Sequence, residues 1–461
     1  MRDTGHITLW NVECIFVEEN NDISIISKDK DKIKDFRAHF NDQNFILNYC
    51  GNIGYKCTAF IERVQFELNY AVKLFPKYII KGCHDDSFDG FEMMGEAIDD
   101  FFSPSRYFYD RSKVGVETSV DFIYHNEVAE KWVITFEDKP VTITLSYGDI
   151  WGRGVASDLI LHPKLKISFS KTTDVQYIYR MYLLIIRFLQ IIRYDTKCGN
   201  LRIDLFSEEN GKMSYNGRLY DFCANRSQFL KGYYDVEYGS FKPYIQRFLQ
   251  FTADNPNYSF HHYPSDGIRF FGRDYSSIDY MNIFAAFESE CHAKKDIYEN
   301  ADATRVQSVK DALIIQVHEY LREGLEQEET DFLNNAKDRI SQLGTQFGQK
   351  RKIVNAYKIL HNALDSSIEH IFYQPEFRLK GPLQKGDLNK IAGFLAAQRG
   401  AVAHGSFLNT FSDVDAQKIR FLEILTYSQL LKRVGLEDAD IERVIGALFG
   451  CNFILFQEEY H

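Results

Sequence analysis

The chain has 461 residues, 45% hydrophobic and 26% charged, with 38 Phe, 28 Tyr and only 9 Pro; this composition excludes a disordered polymer and calls for two or three globular domains. A formal net charge of −11 excludes indiscriminate nucleic-acid binding, so any contact with RNA must come from a local basic patch. The eight cysteines contain no C-x-x-C pair, which argues against a zinc site or a disulfide framework and for reduced, buried thiols.

The start, MRDTGHITLW, lacks the basic region and apolar core of a secretory leader, so a cytoplasmic protein is expected. GHITLWNVECIFV, DISIIS and YIIKG are short β-branched and aromatic runs broken by Asn, Asp and Gly, and read as strands. A helix is expected over 91–102. Strand texture returns at SVDFIYH, EKWVITFE, KPVTITLSY and LKISFS, where Val141, Ile143 and Leu145 alternate with Thr142 and Thr144, as in an antiparallel sheet or sandwich. The helix expected over 174–194 is apolar around most of its circumference and belongs between layers. Its most apolar part, 177–192, is too short and, with Arg180 and Arg187, too charged for a bilayer span. NLRIDLF returns to strand.

The run ADNPNYSFHHYPSDG is dense in turn formers and marks a boundary. Beyond it come SSIDYMNIFAAFESECHAKK, a long charged helix from Ala303 to about Gln327, FLNNAKDRISQLG, KRKIVNAYKILHNALDSSIEHIF, LNKIAGFLAAQRGAVAH, DAQKIRFLEILTYSQLLKRVG and EDADIERVIGALFGCNF. Gly344, Gly386, Gly405 and Gly435 punctuate helix ends, and Asp387 suits an N-cap. The fold class is α+β: a strand-rich domain over 1–239, a connecting segment over 240–274 and an all-α bundle over 275–461.

Arg399 and His404 are the one Arg–His pair in the chain with four to six residues between them. An imidazole can move a proton to or from a ribose 2′-hydroxyl near neutral pH, and a guanidinium can meet charge developing on phosphate oxygens. On a straight helix five residues turn the chain by about 500°, leaving the two roughly 140° apart. A productive site therefore needs a helix ending at His404 with Gly405 as a left-handed cap, or a second copy of the motif across a two-fold axis. A basic stretch precedes the pair, with Lys350, Arg351, Lys352 and Lys358 as candidate RNA-backbone contacts. Glu288 stands four residues before His292, at helical pairing distance, in an orienting role. Tyr357 and His361 could stack on a base or pack. Glu137-Asp138-Lys139 resembles the acidic end of a restriction-type nuclease core but, without an upstream acidic partner, reads as a solvated strand end. Gly51-Asn-Ile-Gly54 lacks the strand-to-helix setting of a phosphate loop, and His261-His262 lacks a third ligand.

The run Gln398-Arg-Gly-Ala-Val-Ala-His404-Gly405 resembles the R-x4-6-H signature of HEPN domains, helical bundles that dimerise and often act as metal-independent ribonucleases. Ala286 and Glu288 resemble an early HEPN helix with an acidic residue, LLKRVGL resembles the closing helices, and the strand-rich half is similar to the amino-terminal domain of ApeA-like anti-phage proteins. Many HEPN nucleases have a polar residue after the Arg, where this chain has Gly400. The resemblance implies an endoribonuclease of abortive infection, leaving a 2′,3′-cyclic phosphate. His404 and Arg399 would be catalytic, Glu288 and Gly405 supporting, and no metal or cofactor required. It further implies RNA, transfer RNA included, as substrate, a homodimer through the helical domain, a phage-derived activator and no membrane association. The alternatives are a non-catalytic HEPN module that binds RNA or a protein, and a structural dimer in which Arg399 pairs across the interface.

Overall fold

Tight hairpins organise the first half of the chain. Trp10-Asn11 joins β1 (Asp3–Leu9) to β2 (Val12–Glu19) with φ of 47° and 63°, the left-handed two-residue turn whose twist matches that of paired strands. Then follow β3 (Asp22–Ser27), β4 (Phe45–Cys50), β5 (Lys56–Glu67), β6 (Ala71–Gly82) and β7 (Phe88–Gly95). After α1 (Glu96–Phe101), the left-handed pair Glu137-Asp138 links β8 (Val128–Phe136) to β9 (Lys139–Asp149), and β10 (Leu161–Thr172) leads into α2 (Val175–Arg193). Asn210-Gly211 joins β11 (Leu201–Glu209) to β12 (Lys212–Asp221), and α3 (Ile245–Asp254) follows. This computed structural model describes residues 3–19, 21–27, 45–51, 54–67, 71–82, 87–103, 128–149, 161–222, 238–256, 274–298, 303–322, 324–342, 348–406 and 410–450. The chain forms two units, 1–258 and 259–461.

Among the described residues, twelve strands make one antiparallel sheet in the order β1-β2-β3-β6-β12-β11-β7-β10-β9-β8, with β5 also pairing β6 and β4 pairing β5. Strand β6 is shared: its first residues pair with β3, its last with β12, and its other edge with β5 along its length. At the amino-terminal end the sheet curls until β1 lies against β4. The enclosed core includes Ile7, Phe16, Ile25, Leu47, Ala59 and Val72.

A small polar group sits beside that core. Lys81 Nζ lies 2.6 Å from Glu18, and the Tyr49 hydroxyl donates to the same carboxylate at 2.8 Å. Burial, more than Glu18, pushes the Tyr49 phenol far above its ordinary range. Burial also pushes the Cys57 thiol up to about 12, leaving almost no thiolate at neutral pH. Brief alkylation of the native protein at pH 8, followed by peptide mass mapping, is therefore expected to label the exposed Cys50 and spare the buried Cys14 and Cys57.

Helix α2 is the layer that covers the other half of the sheet. Asp174 caps it by accepting from the Gln176 and Tyr177 amides, and Tyr194 ends it in the left-handed region. Its ring contacts reach Tyr78, Phe136 and Phe169 on the strands, while Phe188 meets Phe101 of α1. Although α2 is long and apolar enough to cross a membrane, its apolar surface lies against the protein interior. Arg193, at its end, reaches Asp100 at 3.3 Å and donates to the Lys197 carbonyl at 2.8 Å.

Two expectations change in this unit. The helix expected over 91–102 is strand through Gly95, because this stretch is needed as β7 between β10 and β11. Gly95 makes the switch to helix: its φ is 138°, and an added Cβ would stand 2.1 Å from the Asn200 carbonyl oxygen. Residues 240–254 belong to the first unit, since α3 packs on β8 and α2, so a connecting segment cannot begin at 240. The strand expected at SVDFIYH and the pair His261-His262 lie outside the described residues.

The second unit is helical: α4 (Ser277–Ala293), α5 (Ala303–Tyr320), α6 (Gln327–Gln342), α7 (Gln349–Leu364), α8 (Lys385–Ala403), α9 (Asp413–Val434) and α10 (Asp438–Phe449). The capping box of Ser276 and Asp279 starts α4. The charged helix expected to run on to about Gln327 stops at Tyr320, and Gly324, at φ 71°, lies in the connection to α6. Asp387 is not an N-cap; α8 starts two residues earlier, with Asp387 in its first turn, where its charge still favours the helix dipole. Helix α9 is the centre of the core, packed by α4, α7 and α10. It carries buried polar groups as well: Arg433 lies 3.3 Å from Glu290 of α4, and Glu423 accepts from the Tyr275 hydroxyl at 2.6 Å.

Candidate functional site

Helix α8 ends where its sequence loses side chains large enough to pack. Val402 is its last buried residue, and His404 is the C-cap. The Gly405 amide donates to the Val402 carbonyl and the Ser406 amide to that of Ala401, both at 3.0 Å, with Gly405 at φ 94°. This paired bonding is the Schellman arrangement, and only glycine adopts its left-handed position cheaply. The expected left-handed cap is thus present at Gly405.

His404 is exposed, and its ring has no hydrogen bond or ion pair among the described residues. Arg399 behaves differently. Its Nη2 lies 3.5 Å from both carboxylate oxygens of Glu288 on α4, and its Nε is buried without a hydrogen-bond partner among the described residues. Gln349, the first residue of α7, donates its amide to the same carboxylate. Glu288 therefore links three helices, α4, α7 and α8. Beneath the group, the Tyr280 hydroxyl donates to the Leu395 carbonyl at 2.5 Å, and burial pushes its phenol well up, with Arg399 opposing in part.

The structure brings Arg399 and Glu288 together and adds Gln349, whose residue type and position carry no signal for this role. The expected Glu288–His292 pair does not form; the carboxylate turns to Gln349 and Arg399 instead. Of the basic residues, Lys350, Arg351 and Lys358 are exposed, whereas Lys352 is buried at 8% exposure and so cannot join a surface track with them. Lys350 and Arg351 line an open cavity of about 650 Å³ with Gln349, Asn389 and Ala396. Tyr357 packs rather than stacks on a base: it is buried against Phe421 and accepts the Leu383 amide at 3.1 Å. His361 reaches Asp365 at 3.7 Å. Glu137 sits in a hairpin turn and pairs with Arg180 through two bonds of 2.6 and 2.9 Å. Gly51 and Gly54 belong to the β4–β5 connection, a hairpin and not a phosphate loop.

Because Arg399 and Glu288 are both roughly a third exposed, solvent screens their attraction, and such a pair adds at most about 1 kcal/mol. Glu288→Gln is expected to cost less than about 1 kcal/mol, read as a small shift in the urea midpoint. Substitutions at this surface can therefore be interpreted without loss of the fold.

Comparison with protein-family models, with curated proteins and with solved structures finds no match to this chain.

Proposed function

We propose that the helical unit is a metal-independent endoribonuclease. Arg399 holds the scissile phosphate and His404 moves the proton. In the reaction a ribose 2′-hydroxyl attacks the adjacent phosphorus, and the P–O5′ bond breaks. The products are a 2′,3′-cyclic phosphate and a 5′-hydroxyl, with the proton passing from the 2′-oxygen to the leaving oxygen. Arg399 suits the charge of the five-coordinate transition state because its planar fork can meet two oxygens. Glu288 and Gln349 act as positioning residues.

The supporting observation is the contrast between the two ends of the motif: a cation oriented by a neighbouring carboxylate, and an imidazole left open at a capped helix end. We take the complete site to include a second copy of Arg399 and His404 across a two-fold axis, since five residues of regular helix would set the pair about 140° apart. With the resemblance to HEPN proteins, this reading extends to RNA cleavage during anti-phage abortive infection, with transfer RNA as a substrate and the strand-rich unit as sensor.

A second reading is favoured by the Arg399–Glu288 contact itself. A guanidinium already facing a carboxylate is suited to a binding or structural module without catalysis. Incubating the full chain with RNA in the presence of EDTA and analysing the new ends separates the two. Cyclic phosphate and 5′-hydroxyl ends are expected; intact RNA, or cleavage that stops with EDTA, would overturn the nuclease reading.

A further inference from the structure

The geometry points to a second interaction surface, the α5–α6 hairpin, which pairs with the same hairpin of another copy as an antiparallel four-helix bundle. This inference rests on the hairpin alone and not on the ribonuclease reading. Among their described side chains, neither α5 nor α6 has a single buried residue. Lys310, Ile314, Val317 and Leu321 face Thr330, Leu333, Lys337 and Ile340 across a half-exposed seam, with Lys310 Nζ 2.6 Å from the Ser341 carbonyl oxygen. Two helices cannot seal a core between them; burial of the remaining apolar surface takes a further layer.

Most of the exposed apolar residues show where that layer goes, Ile315 of α5 alone lying well away from them. At about 100° per residue, Val309, Leu313 and Tyr320 fall within about 40° of one another and about 90° from the seam. Phe332 of α6, 72% exposed, lies about 110° from its own seam. Because the helices run in opposite directions, both offsets turn toward the same broad face of the hairpin. Right-angled contact faces are what each helix of a four-helix bundle needs to touch two neighbours. Two helices of 18 and 16 residues, each about 10 Å thick, offer a face on the order of 500 Å². That approaches the ~800 Å² of accessible surface per partner in a standard interface.

Charge selects the occupant and its direction. Glu328 and Arg339 lie on the same side of α6 as Phe332, one on each flank, exposed and without an ion pair among the described residues. They are about 16 Å apart along the helix, too far to pair within one chain. A two-fold axis crossing α6 midway between them sets Glu328 against Arg339 of the second copy. The Lys310–Ser341 contact fixes the register of the two helices, and about seven residues along both from that contact the same axis crosses α5 midway between Leu313 and Tyr320. Each of these residues then meets the other from the second copy, so one axis serves the apolar and the charged pairs together.

The test is the mass of the full chain by light scattering and its dissociation by sedimentation. The wild-type chain is expected to associate at micromolar concentration, to a dimer through the hairpin alone or to a larger assembly where α8 pairs as well, and Phe332→Asp to raise the dissociation constant of the hairpin step about 30-fold or more. Glu328→Arg and Arg339→Glu should each weaken the dimer about tenfold, and the double charge reversal should restore it, which contact within one chain cannot do. A monomeric wild-type chain, an assembly whose mass and dissociation are indifferent to Phe332→Asp, or a double reversal no better than the single ones would overturn the proposal. The exposed charge-reversal variants keep it testable if Phe332→Asp fails to fold, and RNA cleavage measured alongside keeps its outcome separate from that of the nuclease reading.

Discussion

Replacing His404 with Ala is expected to lower the rate of RNA cleavage by about 10²–10⁴-fold, the usual contribution of a positioned acid or base. The fold should not notice: His404 is exposed, its ring has no bond among the described residues, and the cap around it is built from backbone amides and Gly405. Thermal unfolding should therefore match that of the wild type while cleavage falls. Arg399→Ala should also lose cleavage, whereas Arg399→Lys keeps the charge without the fork and should recover only part of it. If His404→Ala cleaves RNA at the wild-type rate, the assignment of the proton-transfer role is wrong.

The second large effect concerns stability. Arg433→Ala is expected to cost the helical unit about 3–5 kcal/mol, because it removes the cation from one side of a buried ion pair. Glu290 is 1% exposed and lies 3.3 Å from Arg433 Nη2, so water cannot replace the lost partner. Against a total stability of about 5–15 kcal/mol for a typical domain, this would place the unit near unfolding at room temperature. Urea denaturation followed by helical circular dichroism measures it. Replacing both residues with Leu should recover most of the loss, since it removes the buried carboxylate together with its cation. A loss below about 1 kcal/mol for Arg433→Ala would show that the pair is solvated.

Local signals in the sequence were reliable where local physics decides the structure. Asp174 before an apolar helix, Gly405 after a small-residue one and the alternation of Val141, Ile143 and Leu145 each announced its element. Phe91-Glu-Met-Met misled because its apolar content fits either period, and only pairing with β10 and β11 makes it strand. The α5–α6 turn was obscured for a similar reason: charged helix formers continue through 321–326, and Gly324 is a weak signal by itself. At the candidate site, Arg399, His404 and Glu288 stood out as residue types able to do the chemistry. Gln349 did not, since its contact with Glu288 spans a long stretch of chain and arises from packing of α4, α7 and α8. The buried state of Lys352 was equally hidden, because a run of cations is ordinarily solvent-facing.

The double use of β6 bears on how the protein is made. Its last residues pair with a strand that leaves the ribosome much later, as in the register of Gly82 with Gly217, and a span as long as a small domain separates them. Until β12 arrives, that part of β6 is paired only through β5 and keeps its other edge open, although its neighbourhood is already rich in apolar side chains. Nascent chains halted within this interval would expose a ready template for strand addition. Translation through 83–216 is thus an interval in which that edge is open to pairing with another chain.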